Sequence, residues 1–208
     1  MLTGFLITFR ETLEAALVVG IVLAYLVKMN QLGYRKFVWW GVALGILASL
    51  AGAILFTALL GGFTGRAEEI FEGALMFIAA GLLTTMILWM KKQGKYVRQH
   101  LEEQVQRELA ETHAFGLLAL VFFAVLREGI ETVIFLGAAS RMEAMNILGL
   151  LLGIIVALLI GWSLFLGVVK LRLGIFFQAT SIILILFAAG LIAHGIHEFQ
   201  EAEVLPVI

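Results

Sequence analysis

Two short stretches of this chain carry residues that could do chemistry: Arg10-Glu11-Thr12-Leu13-Glu14 and Arg127-Glu128-Gly129-Ile130-Glu131. On a helix, residues three apart share a face, so Glu11 with Glu14 and Glu128 with Glu131 can each present two carboxylates in one direction. Arginine and glutamate four apart can pair, Arg10 with Glu14 and Arg127 with Glu131, which would brace the helix. Two arginines still leave two of the four glutamates uncompensated. That surplus suits a cation or protons. Hard oxygen donors favour Mg, Ca, Mn and by extension ferric iron, whereas copper(I) calls for Cys or Met. The chain has no cysteine, and Met86, Met90 and Met142 read as packing residues, so a soft-metal path is not expected.

A second set of candidates lies near the other end of the chain. His194, His197, Glu198 and Glu201 follow the three-and-four spacing of one helix face. Imidazole and carboxylate together can hold a metal there. With Glu68, Glu69 and Glu72 they are expected to form an outer loading site, raising the local concentration of cations before these cross. A solvated helix end accounts for the same spacing.

The elements that must position these groups follow from composition. Of 208 residues, 62% are hydrophobic and only 14% charged, with a mean hydropathy of +1.06; a water-soluble fold cannot hide that much apolar surface. Every acid is a glutamate, and the one proline is Pro206. About 20 mostly apolar residues cross a bilayer, and six stretches qualify: Leu2 to Val27, Phe37 to Leu60, Ile70 to Met90, Phe115 to Ala139, Ile147 to Val169 and Ile175 to Ile196. The first is read as a retained helix, since Arg10, Glu11 and Glu14 interrupt it as no signal peptide would allow. Lys91 to His113, charged and helix-prone, reads as a partly amphipathic cytosolic connector. Trp39, Trp40 and Trp89 read as interfacial anchors.

Both motifs then fall near mid-bilayer. Six charged residues at that depth would cost roughly 15 to 20 kcal/mol if left unpaired, so partners, protons or a bound cation must offset it. Lysine and arginine concentrate in alternate loops: Lys28, Arg35 and Lys36; Lys91, Lys92, Lys95, Arg98 and Arg107; Lys170 and Arg172. Only Arg66 and Arg141 lie in the others, so both termini are expected to face outward. The outer side then holds Glu68, Glu69, Glu72, Glu143, Glu198, Glu201 and Glu203. An acidic outside faces a basic inside.

The two halves echo each other. Each opens with an Arg-Glu-x-x-Glu span, continues with Gly41-x-x-x-Gly45 or Gly149-x-x-x-Gly153, and closes with Phe77-Ile78-Ala79-Ala80-Gly81-Leu82 or Phe187-Ala188-Ala189-Gly190-Leu191-Ile192. Such glycines let helices approach closely. Three spans per unit is odd, so the second unit enters the membrane from the opposite side. The expected fold is an all-α membrane protein of about six transmembrane helices in two inverted three-helix repeats. Its expected divisions are residues 1–90 (first repeat), 91–114 (connector), 115–197 (second repeat) and 198–208 (extracytoplasmic end). Secondary transporters use this plan, with the site at the midplane between repeats.

Two Arg-Glu-x-x-Glu copies in a multi-span chain of this length resemble the oxidase-dependent iron transporter family, which includes fungal high-affinity iron permeases and bacterial iron-uptake permeases. Arg127-Glu128-Gly129-Ile130-Glu131 is close to that family's Arg-Glu-Gly-Leu-Glu signature. Phe71-Glu72-Gly73, Val121-Phe122-Phe123-Ala124-Val125 and Phe199-Gln200-Glu201-Ala202 also match, so the resemblance covers essentially the whole chain. It implies that Glu11, Glu14, Glu128 and Glu131 carry iron, ferric and delivered by an oxidase, with Arg10 and Arg127 positioning them. It implies a ferroxidase, or a periplasmic iron-binding or peroxidase-like protein, as partner. The chain itself would be no enzyme and hold no redox cofactor, with iron as transported substrate. Thr12 departs from the family's glycine in the first copy, and the chain ends at Ile208, where the family ordinarily continues into a seventh span.

Further expected partners are the lipid bilayer and a second copy of the chain, with no nucleic acid. The expected location is the cell membrane, the cytoplasmic or inner one in a bacterium. The main rival is a proton-coupled carrier of another divalent metal such as manganese or lead, using the same carboxylates. A membrane enzyme with paired glutamates as acid and base is a further rival, but di-iron carboxylate sites use Glu-x-x-His on bundle helices and neither motif has that histidine. A noncatalytic anchoring subunit would have no need of mid-membrane charge.

Overall fold

The computed structural model describes residues 1–93, 97–110, 114–142, 144–165 and 173–206, apart from the side chains of 60, 89–93, 97–99, 109–110, 114 and 173–180. Of the residues used above for orientation and anchoring, Lys95, Glu143, Lys170 and Arg172 lie outside the described set. So do the side chains of Trp89, Met90, Lys91, Lys92 and Arg98.

Among the described residues the fold is helical throughout. The α-helices are α1 (Leu2–Lys28), α2 (Arg35–Leu60), α3 (Arg66–Gln93), α4 (Val97–Ala110), α5 (Ala114–Met142), α6 (Ile147–Phe165) and α7 (Leu173–Glu201), and no strand occurs among the described residues. Their ends follow local rules. At the end of α1, Asn30 takes a left-handed φ of 57°, and the N–H groups of Asn30 and Gln31 close on the carbonyls of Val27 and Leu26. That pattern satisfies carbonyls the helix would otherwise orphan. The start of α6 is capped by Asn146, whose Oδ1 accepts the Leu148 N–H at 2.9 Å.

Among the described residues, four segments are long and apolar enough to cross a membrane: Leu32–Leu59, Arg66–Leu88, Ile147–Phe165 and Ser181–Glu201. Large apolar side chains face outward along them, among them Leu47 and Ile54 on α2, Leu158 and Trp162 on α6, and Ile182 and Leu186 on α7. A protein dissolved in water would bury these; one dissolved in lipid presents them. Helices α1 and α5 are 27 and 29 residues long, about 40 Å at 1.5 Å per residue, and each carries the three charges of its motif amid apolar sequence.

The chain forms two compact units: Met1–Ala53 with Tyr96–Val133 and Asn146–Leu171, and Ile54–Lys95 with Ile134–Met145 and Arg172–Ile208. In the first, α1 lies on α6 through the glycine stripe. A Cβ on Gly149 would meet the Met1 carbonyl at 2.6 Å, and one on Gly153 would meet the Phe5 carbonyl at 2.5 Å and the Phe9 nitrogen at 2.9 Å. Thr8 bridges the two helices, its hydroxyl 3.0 Å from the Leu150 carbonyl. On the other side α2 meets α5 in the same way: a Cβ on Gly41 would come 2.7 Å from the Leu118 carbonyl, and one on Gly45 would come 2.9 Å from Val125 Cβ. The first helix of each sequence half thus packs on the second helix of the other half.

Helix α4, the charged connector, is docked rather than free. Val105 is buried in an apolar cluster with Val22, Tyr25, Leu26, Val38, Leu117 and Val121, and the Tyr25 hydroxyl lies 3.5 Å from Gln106 Oε1. In the second unit, α3 packs on α7 where Gly73 meets Gly195 and the rings of Phe77 and Phe199 stack at 5.7 Å.

Candidate functional site

All six charged residues of the two motifs belong to the first unit. Helix geometry puts Glu11 about 13 Å along α1 from Leu2 and Glu128 about 21 Å along α5 from Ala114. The intrahelical pairs form. Arg10 Nη2 stands 3.1 Å from Glu14 Oε1 and its Nη1 3.5 Å from Glu11 Oε1. Arg127 donates its Nε–H to Glu131 Oε1 at 2.9 Å.

Across the helices, Glu11, Glu128 and Glu131 each bring one carboxylate oxygen within 4.8 Å of the others, the only such group of potential metal ligands among the described residues. Oxygens on opposite sides of a cation, each at about 2.0 to 2.5 Å, stand about 4 to 5 Å apart, so the spacing suits one ion between three carboxylates. Glu11 and Glu128 are only 2% and 7% exposed, and the Oε2 atom of each is buried and accepts no hydrogen bond. Buried carboxylate oxygens without donors are costly; a bound cation would satisfy them. Glu14 stands beside this group, held by Arg10.

The two copies, alike in sequence, differ in surroundings. Arg10 is 2% exposed and Arg127 53%. The third residue of each copy differs as well. A Cβ on Gly129 would run into the Ser49 side chain of α2, so the second copy needs its glycine. At the matching step of the α6 stripe, after Gly149 and Gly153, stands buried Ala157 rather than a serine. A smaller residue at that step leaves more room for Thr12 in the first copy.

The outer candidates lie in the second unit. Arg141 of α5 pairs with Glu72, and with Glu68 at 3.5 Å. Sequence reasoning counted Arg141 only as an outer base; its position among surplus acids was the signal that it would be claimed by one. Glu69 is half-buried. Glu198 packs its Cβ against Gly73, next to Glu72. His194, His197 and Glu201 are exposed, with His197 Nε2 3.2 Å from Glu201 Oε1. Thr8 and Ser49 were also missed. Each lies on a helix that carries or faces a motif, but their roles depend on which helix they meet.

The chain matches the Iron permease FTR1 family over residues 1–205. It is similar to the ferrous iron permease EfeU of Yersinia pestis, 40% identical over 207 residues that make up 97% of this chain and 73% of that protein. A protein of the same name from Yersinia pseudotuberculosis serotype I is 40% identical over 203 residues, covering 95% of this chain and 71% of the relative. One from Escherichia coli O6:H1 is 38% identical over 206 residues, covering 97% and 75%. No solved structure matches. With paired motifs gathered in a helical, lipid-facing scaffold and a match that runs nearly end to end, the chain belongs to the Iron permease FTR1 family, a family of iron-transporting membrane permeases.

Proposed function

We propose that this chain imports iron through a site made by Glu11, Glu128 and Glu131, with Glu14 completing its charge and Arg10 and Arg127 holding the carboxylates in place. The observation that carries the reading is the approach of three carboxylate oxygens from two helices to within 4.8 Å, two of them from nearly inaccessible side chains. Three oxygens fall short of the six or so a hard cation prefers. The second carboxylate oxygens, Glu14 or retained water would complete the shell.

The scaffold is proposed to be six spans in two inverted three-helix repeats, both termini outward. Reciprocal packing of α1 on α6 and α2 on α5 supports this, being what an inverted repeat produces. Helices α1 and α5 are not uniformly apolar because their motifs place three charges in mid-helix, where ionisable groups mark ion pathways. Glu68, Glu69, Glu72, His194, His197, Glu198 and Glu201 are proposed as an outer loading surface.

All-oxygen donors and the resemblance to oxidase-dependent permeases favour ferric iron handed over by an oxidase partner. A second reading, ferrous iron, is favoured by the names of the relatives quoted above. The test is uptake of radioactive iron by proteoliposomes containing the purified chain. Iron is supplied as ferrous ion under anaerobic ascorbate or as ferric citrate, each alone and against excess manganese or lead. Loss of uptake in Glu11→Gln, Glu128→Gln and Glu131→Gln supports the site. Near-normal uptake by all three, at equal insertion, would sink it, and stronger transport of manganese or lead than of iron would replace the cargo.

A further inference from the structure

The helix faces that carry the glutamates continue, toward the charged connector, into hydrocarbon. Eleven residues make about three turns of helix, so on α1 Val22 lies on the face of Glu11, and Tyr25 on that of Glu14. Helix α5 repeats this in the opposite chain direction. Leu117 stands eleven positions before Glu128 and Val121 seven, about three turns and two. The approach of Glu11 to Glu128 and Glu131 shows that these faces of α1 and α5 look at each other. Below the glutamates they are joined: Val22, Tyr25, Leu117 and Val121 meet in one cluster with Val38 of α2 and Val105 of α4, every member 8% exposed or less. The cluster and the three glutamates belong to the same compact unit.

The direct way from the glutamates to the α4 side therefore runs through apolar side chains that begin about 10 Å from Glu128. A cation stripped of water is prohibitively unfavourable there, and apolar constrictions close pores because water leaves them. We propose that Val22, Tyr25, Leu117 and Val121 form the inner gate of the transport path, and that α4 is its bolt, with Val105 sealing the seam between α1 and α5 until the connector moves off. This rests on the cargo role of the glutamates and on the orientation proposed above, which puts α4 at the cytoplasmic side. It also accounts for the mixed character of the connector. Val105 is buried in the seam, while Glu103, Gln106 and Arg107 are exposed, so α4 leaves the seam for water and not for lipid.

The test pins the bolt. The Tyr25 hydroxyl lies 3.5 Å from Gln106 Oε1, and the chain has no cysteine, so Tyr25→Cys with Gln106→Cys supplies the only thiols. A short bifunctional methanethiosulfonate links them through disulfides that a reductant undoes. The full chain, purified and linked in detergent, is assayed there for iron binding and, after reconstitution, for uptake of radioactive iron by proteoliposomes. Linking should cut uptake at least about tenfold, reduction should restore it, and iron binding in detergent should change by less than about twofold. Val105→Ala loosens the same contact without altering α1 or α5. Its maximal uptake rate should rise about fivefold, on the scale of a shortened buried side chain, with the iron concentration for half-maximal uptake unchanged.

Undiminished uptake by the linked protein would overturn the proposal, because iron would then cross with α4 fixed in place. Loss of iron binding on linking would overturn it too, since α4 would then act on the site and not on the way out. So would a maximal rate that falls in Val105→Ala. If the unaltered chain binds no iron, or binds it undiminished in Glu11→Gln, Glu128→Gln and Glu131→Gln, the cargo site itself has failed and the gate with it. That failure appears without any change in α4 or in the cluster and so is told apart.

Discussion

Gly153→Ala tests whether the contact between α6 and α1 positions the glutamates. The added Cβ would stand 2.5 Å from the Phe5 carbonyl oxygen and 2.9 Å from the Phe9 nitrogen, and would also press on the Thr8 hydroxyl. The first two are backbone atoms of a continuous helix and cannot rotate away. Bringing the closest contact to 3.4 Å, where ordinary van der Waals contact begins, needs a separation of 3.4 − 2.5 = 0.9 Å. Overpacking of this size costs about 1 to 3 kcal/mol. Stretching the Thr8 link to the Leu150 carbonyl adds about 0.6 kcal/mol on the scale of interhelical hydrogen bonds in membranes. The helix-propensity gain of alanine over glycine, about 1 kcal/mol, offsets part of that. A net loss of about 1 to 3 kcal/mol corresponds to a fall in melting temperature of about 3 to 10 °C for a chain of this length. Since Glu11 follows Phe9 by two residues, α1 carries it away from Glu128 and Glu131, and iron uptake should fall at least about tenfold, a moderate figure for a displacement near 1 Å. Gly20→Ala, on the same helix α1, is the control, because nothing lies within 4 Å of its added carbon. Its melting temperature should not fall, and should rise by about 2 to 4 °C for the propensity gain of about 1 kcal/mol. Thermal unfolding in detergent and uptake in proteoliposomes check both. Equal behaviour of the two variants would refute the reasoning.

Three further outcomes are expected. Glu14→Gln should destabilise the fold more than Glu131→Gln in thermal unfolding, because it strips an anion from a guanidinium 2% exposed, whereas Arg127 is 53% exposed and its charge is less deeply enclosed. Neutral replacements of His194, His197, Glu198 and Glu201 together should raise the iron concentration for half-maximal uptake severalfold and leave the maximal rate unchanged; no effect at any concentration would leave these residues a solvated helix end. A cysteine at Arg66 should react with an impermeant maleimide applied outside intact cells, and one at Arg107 only after permeabilisation. The reverse pattern would invert the proposed topology.

Sequence alone carried the helical, membrane character of this chain, because 62% hydrophobic residues with 14% charged ones leave a water-soluble core no means of covering them. It also carried the motifs, and through four-residue spacing the pairs Arg10 with Glu14 and Arg127 with Glu131 that the structure contains. Pairing within one helix depends only on helix geometry, which every residue shares. The family was legible for the same reason: Arg-Glu-x-x-Glu occurring twice is a local pattern. What spacing could not decide was which carboxylates meet. Read by period, Glu11 and Glu14 are equal candidates, and so are Arg10 and Arg127. The fold makes them unequal, since the depth and rotation of α1 and α5 are fixed by partners far away in the chain. Gly149 and Gly153 draw α6 against Met1, Phe5 and Thr8, while Gly41, Gly45 and Ser49 of α2 meet Leu118, Val125 and Gly129. Those contacts turn Glu11 toward Glu128 and Glu131, leave Glu14 with Arg10, and enclose one guanidinium while exposing the other. A helix's period tells which residues share a face; only its neighbours determine where that face points.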